Sequence, residues 1–405
     1  MPSYEEARTT ILDHAAPLGV ERVELLASLG RVLAEDMVAP WDMPLYDNSA
    51  MDGFAVRVAD CGEGKPLLRI TGYIPAGGSV TGPILAGCAV RIMTGAPIPL
   101  NCDAVVPVEE TEEADGMVRI RGEVRPQQHI RFHGEDVASG DTFLLAGTVI
   151  QSPEISMLAS FGKAVVPVYR KARVAIISTG DELIELGEPP APGRIINSNA
   201  LSLAAAIRET GAEPVIIGIA RDNRESHREK MLEGFKADVL ITSAGVSAGD
   251  KDFVRDVLAE LGVRQIFWKV DIKPGGPTAF GVKDGTPVFS LPGNPVSTMI
   301  TFEEFVRPAL LKMMGHQRVI KPYVKAFLRE EARKKPGKVH FLRVRIEVED
   351  GRYWATTSGD QNTGILRTMV RANAIAVLPK DRTVVAAGEE VDVHLLRSDA
   401  AMLEG

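Results

Sequence analysis

The stretch Ile241–Phe253 reads ITSAGVSAGDKDF and joins a short apolar run to the start of an apolar helical pattern. Gly245 and Gly249 allow the backbone to bend tightly and to approach a ligand closely. We therefore predict a strand, a loop of small residues and a helix, in that order. Free amide groups in such a loop can face an anion, and the dipole of the following helix favours negative charge there. A tight strand-to-helix turn without a ligand is the alternative interpretation.

The segments around this stretch repeat the alternation of strand and helix from residue 172 to residue 316. Strands are predicted at Val174–Ser178, Val215–Ile219, Val239–Ile241, Gln265–Ile272 and Val288–Leu291. Helices are predicted at Ala200–Glu209 and Phe253–Leu261, and two further helices are predicted to end near Phe235 and Met314. Strands that alternate with helices indicate a parallel sheet covered on both faces. The segment is therefore predicted to be a doubly wound α/β domain.

The chain on either side of this segment is predicted to be rich in β-structure. Asp115-Gly116 and Asp350-Gly351 each separate two alternating runs, which is typical of a hairpin. Residues 3–36 are predicted to form two helices, and Ser3 with Glu6 has the spacing of a capping box. A short helix is expected within residues 141–170, in a connector that leads back towards the N-terminal helices.

Length, charge and cysteine content exclude several classes of protein. A chain of 405 residues predicts two to four domains, and its net charge of -8 with no block of Lys or Arg argues against nucleic-acid binding. Three cysteines without a CxxC pair indicate neither a disulfide framework nor a zinc site and are typical of a reducing compartment. We expect no signal peptide, because the N-terminus lacks an apolar core, and no membrane helix.

Polar residues follow several of the predicted strands at the edge of the sheet where α/β proteins bind ligands. They are Asp181 and Glu182, then Asp222, then Ser243, Ser247, Asp250 and Asp252, and finally Pro292, Gly293, Asn294 and Pro295. Five carboxylates at one edge repel each other unless a cation lies among them. Oxygen ligands without His or Cys nearby favour Mg²⁺ over zinc. Asp222 has a second interpretation, as the cap of the next helix.

Lysines supply the opposite charge. A strand through Gln265–Lys273 would place Lys269, Asp271 and Lys273 on one face, which is also typical of an ordinary solvated strand face. Lys273 leads directly into Pro274-Gly275-Gly276, where backbone and ammonium groups can meet a phosphate. Two lysines, two glycine-rich loops and a divalent cation predict a site for a phosphorylated or oxyanionic substrate, with Lewis-acid and electrostatic catalysis.

Eight motifs occur in order along the chain: DNSAMDGFAVR, RIMTGAPIP, HGEDV, ISTGDEL, GIARDN, TSAGVSAGDKDF, WKVDIKPGGP and FSLPGNPVS. This set resembles the MoeA family of molybdopterin molybdenumtransferases, which is related to the E domain of gephyrin. Each motif is weak alone, but their common order along essentially the whole chain is specific. Three departures concern ligand geometry: Ala244 in the opening loop, Gly276 where the family often has lysine, and a QNTGIL loop without the expected serine.

The resemblance implies a multidomain α/β plus β fold. Its parts would be a dimerisation domain of elongated form (1–45 and 139–170), an inserted β domain (46–138), the molybdopterin-binding α/β domain (171–318) and a C-terminal β-barrel-like domain (319–405). It also implies a cytoplasmic homodimer that inserts molybdate into adenylylated molybdopterin with Mg²⁺ as cofactor, forming molybdenum cofactor and releasing AMP. Further partners would be the molybdopterin-adenylylating protein and molybdoenzyme apoproteins, and neither nucleic acid nor membrane is expected as a partner.

The family's functional residues can be transferred to matching positions. The catalytic set implied in this way is Asp52, Thr94, Asp136, Glu182, Asp222, Asp252, Lys269, Lys273 and Arg343. The implied substrate-binding set is Ser243, Gly245, Ser247, Gly249, Asp250, Pro292, Asn294 and Pro295. Glu182 and Asp252 are the expected metal ligands, and Asp52, Thr94 and Asp136 are expected to reach the partner subunit's cleft.

Two other functions remain open at this point. A molybdopterin adenylyltransferase would share the α/β core, although extra β domains before and after that core argue against it. A non-catalytic scaffold like gephyrin is the third hypothesis, and the full set of acids and lysines argues against it.

Overall fold

The computed structural model describes residues 1–62, 67–80, 82–245 and 253–396. The chain divides into two compact units. The first contains residues 1–34, 147–152 and 165–396, and the second contains 35–146 and 153–164. Within the described ranges, every helix is too short or too polar to cross a bilayer.

The central sheet of the first unit confirms the predicted α/β domain. Its six strands lie in the order Glu213–Ala220, Arg173–Thr179, Val239–Ser243, Thr286–Leu291, Ala279–Lys283 and Arg264–Phe267. The first four are parallel, and each of the last two pairs antiparallel with the strand before it. The parallel strands Arg173–Thr179, Val239–Ser243 and Thr286–Leu291 are almost completely buried, as expected for a sheet with helices on both faces.

Helices pack on both faces of this sheet. One face is covered by Ser198–Glu209 and by a helical segment composed of Pro295–Thr301, a π-helical turn at Phe302–Val306, and Arg307–Met313. The other face is covered by Arg224–Gly234 and Phe253–Glu260. Asn223 caps the Arg224–Gly234 helix by accepting a hydrogen bond from the amide of Ser226. The interpretation of Asp222 as that cap is therefore wrong.

The predicted strand Gln265–Ile272 is confirmed only as far as Phe267, because the chain leaves the central sheet after that residue. The amide of Val270 donates to the carbonyl of Gly276 at 2.9 Å, which closes a turn, and Ile272–Lys273 then pairs with Val339 and His340 of another sheet. The period-two rule consequently does not apply across this segment, and it cannot place Lys269 and Lys273 on one face.

The N-terminal segment contains one of the two predicted helices. Tyr4–Asp13 is helical and begins with the predicted capping box of Ser3 and Glu6. The second helix is wrong: Val20–Glu24 is a strand paired antiparallel with Val165–Tyr169, and a 3₁₀ turn follows at Leu25–Ser28. Gly30, at φ +75°, lies in the left-handed region where an α-helix cannot continue.

The C-terminal part of the first unit is a small closed barrel, which confirms the predicted barrel-like domain. Five strands pair around it in the order Val339–Glu349, Arg352–Thr357, Tyr323–Leu328, Glu390–Leu395 and Ala374–Leu378, and the last pairs with the first. Asp350 and Gly351 both have positive φ, as a two-residue hairpin turn requires. Ala332–Arg333 pairs with Val384–Val385, and a short helix spans Arg367–Arg371.

The second unit is built on a six-stranded sheet of mixed direction. Its strands lie in the order Ala104–Pro107, Gly53–Val56, Cys88–Ile92, Leu67–Ile74, Met117–Ile120 and Thr111–Ala114. The last two form the predicted hairpin around Asp115-Gly116. Short strand pairs join Met37–Val38 to Thr142–Leu144 and Asn48–Ser49 to Ile130–Arg131, and a helix spans Ser152–Ser160.

Candidate functional site

A cavity of about 640 Å³ lies at the carboxyl ends of the parallel strands of the central sheet. This is the edge at which open α/β sheets bind ligands. The lining side chains and backbone come from the ends of three strands and from the two helices that follow. They are Ser178, Thr179, Glu182, Leu183, Ile195, Ile196, Asn197, Ser198, Asn199, Ser243, Ala244, Gly245, Lys269, Pro277, Pro292, Gly293, Asn294, Pro295 and Ser297.

Two helix N-termini contribute to the cavity wall. The helix Ser198–Glu209 is capped by Asn197, whose Oδ1 accepts from the amide of Ala200 and from the hydroxyl of Ser178. The second helical segment begins at Pro295, a position at which proline loses no hydrogen bond. The positive ends of both helix dipoles are therefore at this wall, an arrangement that favours an anionic ligand.

The loop after Val239–Ser243 brings its backbone close to the neighbouring elements. Gly245 has φ +74°, and a Cβ at this position would lie 2.3 Å from Cγ2 of Val254. Only glycine fits here without displacing the helix that follows. Ala244 is also at φ +74°, and its Cβ would lie 3.0 Å from a Cβ placed on Gly293. The loops after two adjacent strands are thus in contact at the cavity.

Asn199 links these loops and was missed by the sequence analysis. Its side-chain amide donates to Oγ of Ser243 at 2.9 Å and to the carbonyl of Gly293 at 2.8 Å. The side chain therefore joins the start of one helix to the ends of two strands. The signal available in the sequence was the run Asn197-Ser198-Asn199 immediately before a helix.

Glu182 and Lys269 are the charged side chains among the described residues that line the cavity. The Glu182 carboxylate lies against Gly180: a Cβ added at Gly180 would be only 2.3 Å from its Oε2. Lys269 is exposed and lies in the segment between the central sheet and the barrel. A carboxylate and an ammonium group in one cavity can bind a cation and an anion side by side.

The described residues contain no cluster of three or more His, Cys, Asp or Glu side chains arranged to hold a metal. Glu182 is the carboxylate that they place in the cavity. Mg²⁺ is commonly held by one or two carboxylates together with water and substrate phosphates. The donor chemistry of Glu182 fits such a partial site.

Asp222 lies beside the cavity rather than in its lining. Its carboxylate accepts a hydrogen bond from the amide of Asp181 at 3.3 Å, and its own amide donates to the carboxylate of Asp181 at 3.1 Å. This pair connects the ends of two adjacent strands. The structure therefore gives Asp222 a contact to the turn that carries Glu182.

Lys273 and Arg343 are not among the lining residues. Lys273 is exposed beside the barrel, where it pairs in register with His340. Burial, together with the charges of Lys334, Lys273 and Lys338, lowers the pKa of His340 to about 4. The imidazole is therefore neutral at neutral pH, and the neighbouring positive charge belongs to the lysines.

Arg343 is fully buried in the barrel. Its Nε donates to Oγ1 of Thr368 at 2.8 Å, and its Nη2 donates to the carbonyls of Asp360 and Asn362. Burial lowers the pKa of this guanidinium. The loop that Arg343 holds reaches the cavity at one point, where Nδ2 of Asn294 donates to Oγ1 of Thr363 at 3.0 Å.

The predicted residues Asp52, Thr94 and Asp136 all belong to the second unit. The carboxylate of Asp52 accepts hydrogen bonds of 2.7 Å from both the amide and the hydroxyl of Thr94. These two bonds lower the pKa of Asp52. Asp136 is exposed, and its amide donates to the carbonyl of Met43. The predicted residues Ser247, Gly249, Asp250 and Asp252 lie outside the described residues.

Comparison with known families gives matches along almost the whole chain. Residues 2–162 match the model described as MoeA N-terminal region (domain I and II), residues 175–312 match the probable molybdopterin binding domain, and residues 325–396 match the MoeA C-terminal region (domain IV). The three matches fall in the same order as the motifs in the sequence.

Similar proteins of known name and similar solved structures agree with these matches. Molybdopterin molybdenumtransferase 2 of Mycobacterium tuberculosis is 37% identical, over 97% of this chain and 99% of its own. Molybdopterin molybdenumtransferase of Haemophilus influenzae is 36% identical, over 98% of this chain and 100% of its own. The crystal structure of the molybdopterin biosynthesis MoeA protein from Pyrococcus horikoshii OT3 superposes with a TM-score of 0.83 at 31% identity, covering 98% of this chain and 100% of its own.

Proposed function

The chain belongs to the MoeA family of molybdopterin molybdenumtransferases, and from this premise we propose that it transfers molybdenum to molybdopterin at the cavity of the central sheet. The observation that supports this best is the composition of the cavity wall, which combines two helix N-termini, Lys269 and the Glu182 carboxylate. Such a wall suits a phosphorylated substrate together with molybdate, because the substrate brings several negative charges.

We further propose that the acceptor is adenylylated molybdopterin and that AMP is the second product. Lys269 and the amide groups at the two helix starts would stabilise phosphate and molybdate charge, since these groups are fixed before the substrate binds. Asn199 and Asn294 would keep the loops at those helix starts in place through the hydrogen bonds described above. The cavity volume of about 640 Å³ is within the range of small-molecule sites.

Mg²⁺ is the cofactor that we propose, with Glu182 and Asp252 as its protein ligands. When bound, it would neutralise negative charge on the phosphate and molybdate oxygens. The presence of Glu182 among the residues that line the cavity, beside the predicted phosphate-binding loops, supports this assignment. The roles of Asp52, Thr94, Asp136, Lys273 and Arg343 in the reaction are likewise proposals that derive from the family.

The assembly and location follow from the same family. We propose a cytoplasmic homodimer that receives its substrate from a molybdopterin-adenylylating protein and passes its product to molybdoenzyme apoproteins. Leu26 and Leu29 are 71% and 61% exposed in the N-terminal segment, which supports a surface covered by another chain. Light scattering on the purified protein tests this point, because a monomer at micromolar concentration would contradict it.

The function is tested by supplying substrates separately. With adenylylated molybdopterin, Mg²⁺ and molybdate, we expect molybdenum cofactor to form in proportion to the molybdate added. With ATP and unmodified molybdopterin, we expect no adenylylation. Adenylylation in the second reaction, without activity in the first, would favour the molybdopterin adenylyltransferase.

A further inference from the structure

The turn that carries Glu182 is surrounded by hydrogen-bond donors from two arginines. Nη1 of Arg221 donates to the carbonyl of Leu183 at 2.9 Å and lies 3.4 Å and 3.5 Å from the carbonyls of Asp181 and Gly180. Nη1 of Arg194 donates to the carbonyl of Asp181 from the other end of the same segment. Carbonyls on both sides of Glu182 are therefore held by guanidinium groups.

All three contacts of Arg221 are made by one nitrogen, Nη1, whose two N–H groups are shared among the carbonyls. The guanidinium group also keeps its positive charge, which strengthens these bonds. The carbonyl of Asp181 receives donors from both arginines. The main chain of Arg221 is also fixed, because its amide donates to Oγ of Ser226 at the start of the next helix.

Besides the two arginines, the turn is held by the Asp181–Asp222 pair and by backbone hydrogen bonds. Asp181 and Glu182 are exposed, and the first buried residue after them is Ile184. The amide of Ile195 donates to the carbonyl of Glu182 at 2.8 Å, and Leu183–Ile184 pairs with Ile195–Ile196. These contacts are made by the backbone of Glu182 and its neighbours, and Glu182 is itself among the residues that line the cavity.

We propose that Arg221 and Arg194 are positioning residues for the Glu182 carboxylate. By holding the carbonyls of residues 180, 181 and 183, they fix the backbone from which that carboxylate projects into the cavity. Neither arginine is among the residues that line the cavity. The proposal rests on the proposed function where it concerns activity, and on the structure alone where it concerns the turn.

The structural part is tested by amide hydrogen exchange on the full-length protein. Arg221→Ala and Arg194→Ala should each speed exchange in residues 180–196 while the strand Val239–Ser243 stays as protected as in the wild type. Arg224→Ala is the matched control, because Arg224 lies three residues on and pairs with Glu260. Unchanged exchange at 180–196 in both variants overturns the proposal, whatever the activity of the protein.

The functional part is tested by a double-mutant cycle with Glu182→Gln. Arg221→Ala should lower kcat/KM about 10–100-fold, as is usual when a group that orients a metal or substrate ligand is removed, and Arg221→Lys should recover part of the loss. In the Glu182→Gln background, Arg221→Ala should lower kcat/KM less than about 2-fold. The positioning role would be overturned if Arg221→Ala lowered kcat/KM equally in both backgrounds, or no more than Arg224→Ala does.

Discussion

The amide groups of Asp181 and Asp222 each donate a hydrogen bond to the other residue's carboxylate, at 3.3 Å and 3.1 Å respectively. This reciprocal pair joins the ends of two adjacent parallel strands, and it lies next to the turn that carries Glu182. It gives Asp222 a structural explanation that requires no direct contact with substrate.

Asp222→Asn should therefore retain most of the activity, because the asparagine oxygen can still accept from the amide of Asp181. Asp222→Ala removes the acceptor, and the loss of one hydrogen bond of about 1 kcal/mol predicts a decrease of about 5-fold. The measurement is kcat/KM for cofactor formation. If Asp222→Asn is as inactive as Asp222→Ala, the negative charge itself is required and Asp222 acts on the substrate or its metal.

Glu182→Gln should abolish activity by at least about 100-fold without unfolding the protein, because the carboxylate is exposed to the cavity and makes no core contact. Glu185→Gln is the matched control, since Glu185 follows three residues later and does not line the cavity. Circular dichroism checks the fold of both variants. Activity of Glu182→Gln within a few-fold of the control would remove Glu182 from the mechanism.

A buried polar network contributes to the stability of the first unit. The phenol of Tyr4 donates to Oε2 of Glu304 at 2.5 Å, and Oε1 of the same carboxylate lies 2.8 Å from Nδ1 of His394. All three side chains are at most 3% exposed. Burial and the Glu304 carboxylate raise the pKa of Tyr4 well above its ordinary value, so the phenol stays protonated and remains a donor.

Tyr4→Phe should lower the free energy of unfolding by about 1–3 kcal/mol, because it leaves a buried carboxylate oxygen without this donor. Urea denaturation measures the change, and Tyr73→Phe, at an exposed tyrosine, is the control. A change no larger than the control's would mean that the network adds nothing to stability.

Stability should fall at acid pH partly through His340. The pKa of this residue is lowered from 6.5 to about 4 in the folded protein, so the unfolded chain binds a proton more readily between those values. The contribution of His340 to stability is therefore complete above pH 6.5 and is lost as the pH falls towards 4. The shift limits this contribution to at most about 3 kcal/mol.

The variant His340→Gln isolates this contribution, because glutamine does not titrate. The difference in unfolding free energy between wild type and variant should move in the variant's favour as the pH is lowered from 7 to 4. Other groups, such as His316, whose pKa burial also lowers, act in both proteins and cancel in the difference. A pH-independent difference would show that His340 titrates normally in the folded protein.

Local sequence signals predicted the elements whose geometry is set by neighbouring residues. The capping box of Ser3 and Glu6 and the Asp115-Gly116 and Asp350-Gly351 turns depend on hydrogen bonds and φ values within a few positions. The parallel sheet followed from the alternation of apolar strands and helices, which reports burial directly.

The errors arose where distant segments decide the structure. Val20–Glu24 becomes a strand because Val165–Tyr169 pairs with it, and this partner lies far along the chain. The chain turns away after Phe267 because Ile272 pairs with the barrel. The sequence likewise could not indicate that Arg343 is buried and holds a loop. Arginine is rarely buried unless it is paired, and the carbonyls that pair with Arg343 are brought to it only by the fold.

The stoichiometry of a single reaction tests the central claim most directly. Purified protein is mixed with adenylylated molybdopterin, Mg²⁺ and limiting molybdate, and the AMP released and the molybdenum cofactor formed are both quantified. The account predicts one AMP and one cofactor for each molybdate consumed, with the rate of formation of both products lowered at least about 100-fold in Glu182→Gln. Release of AMP that does not depend on molybdate, or cofactor formation that survives loss of the Glu182 carboxylate, would contradict it.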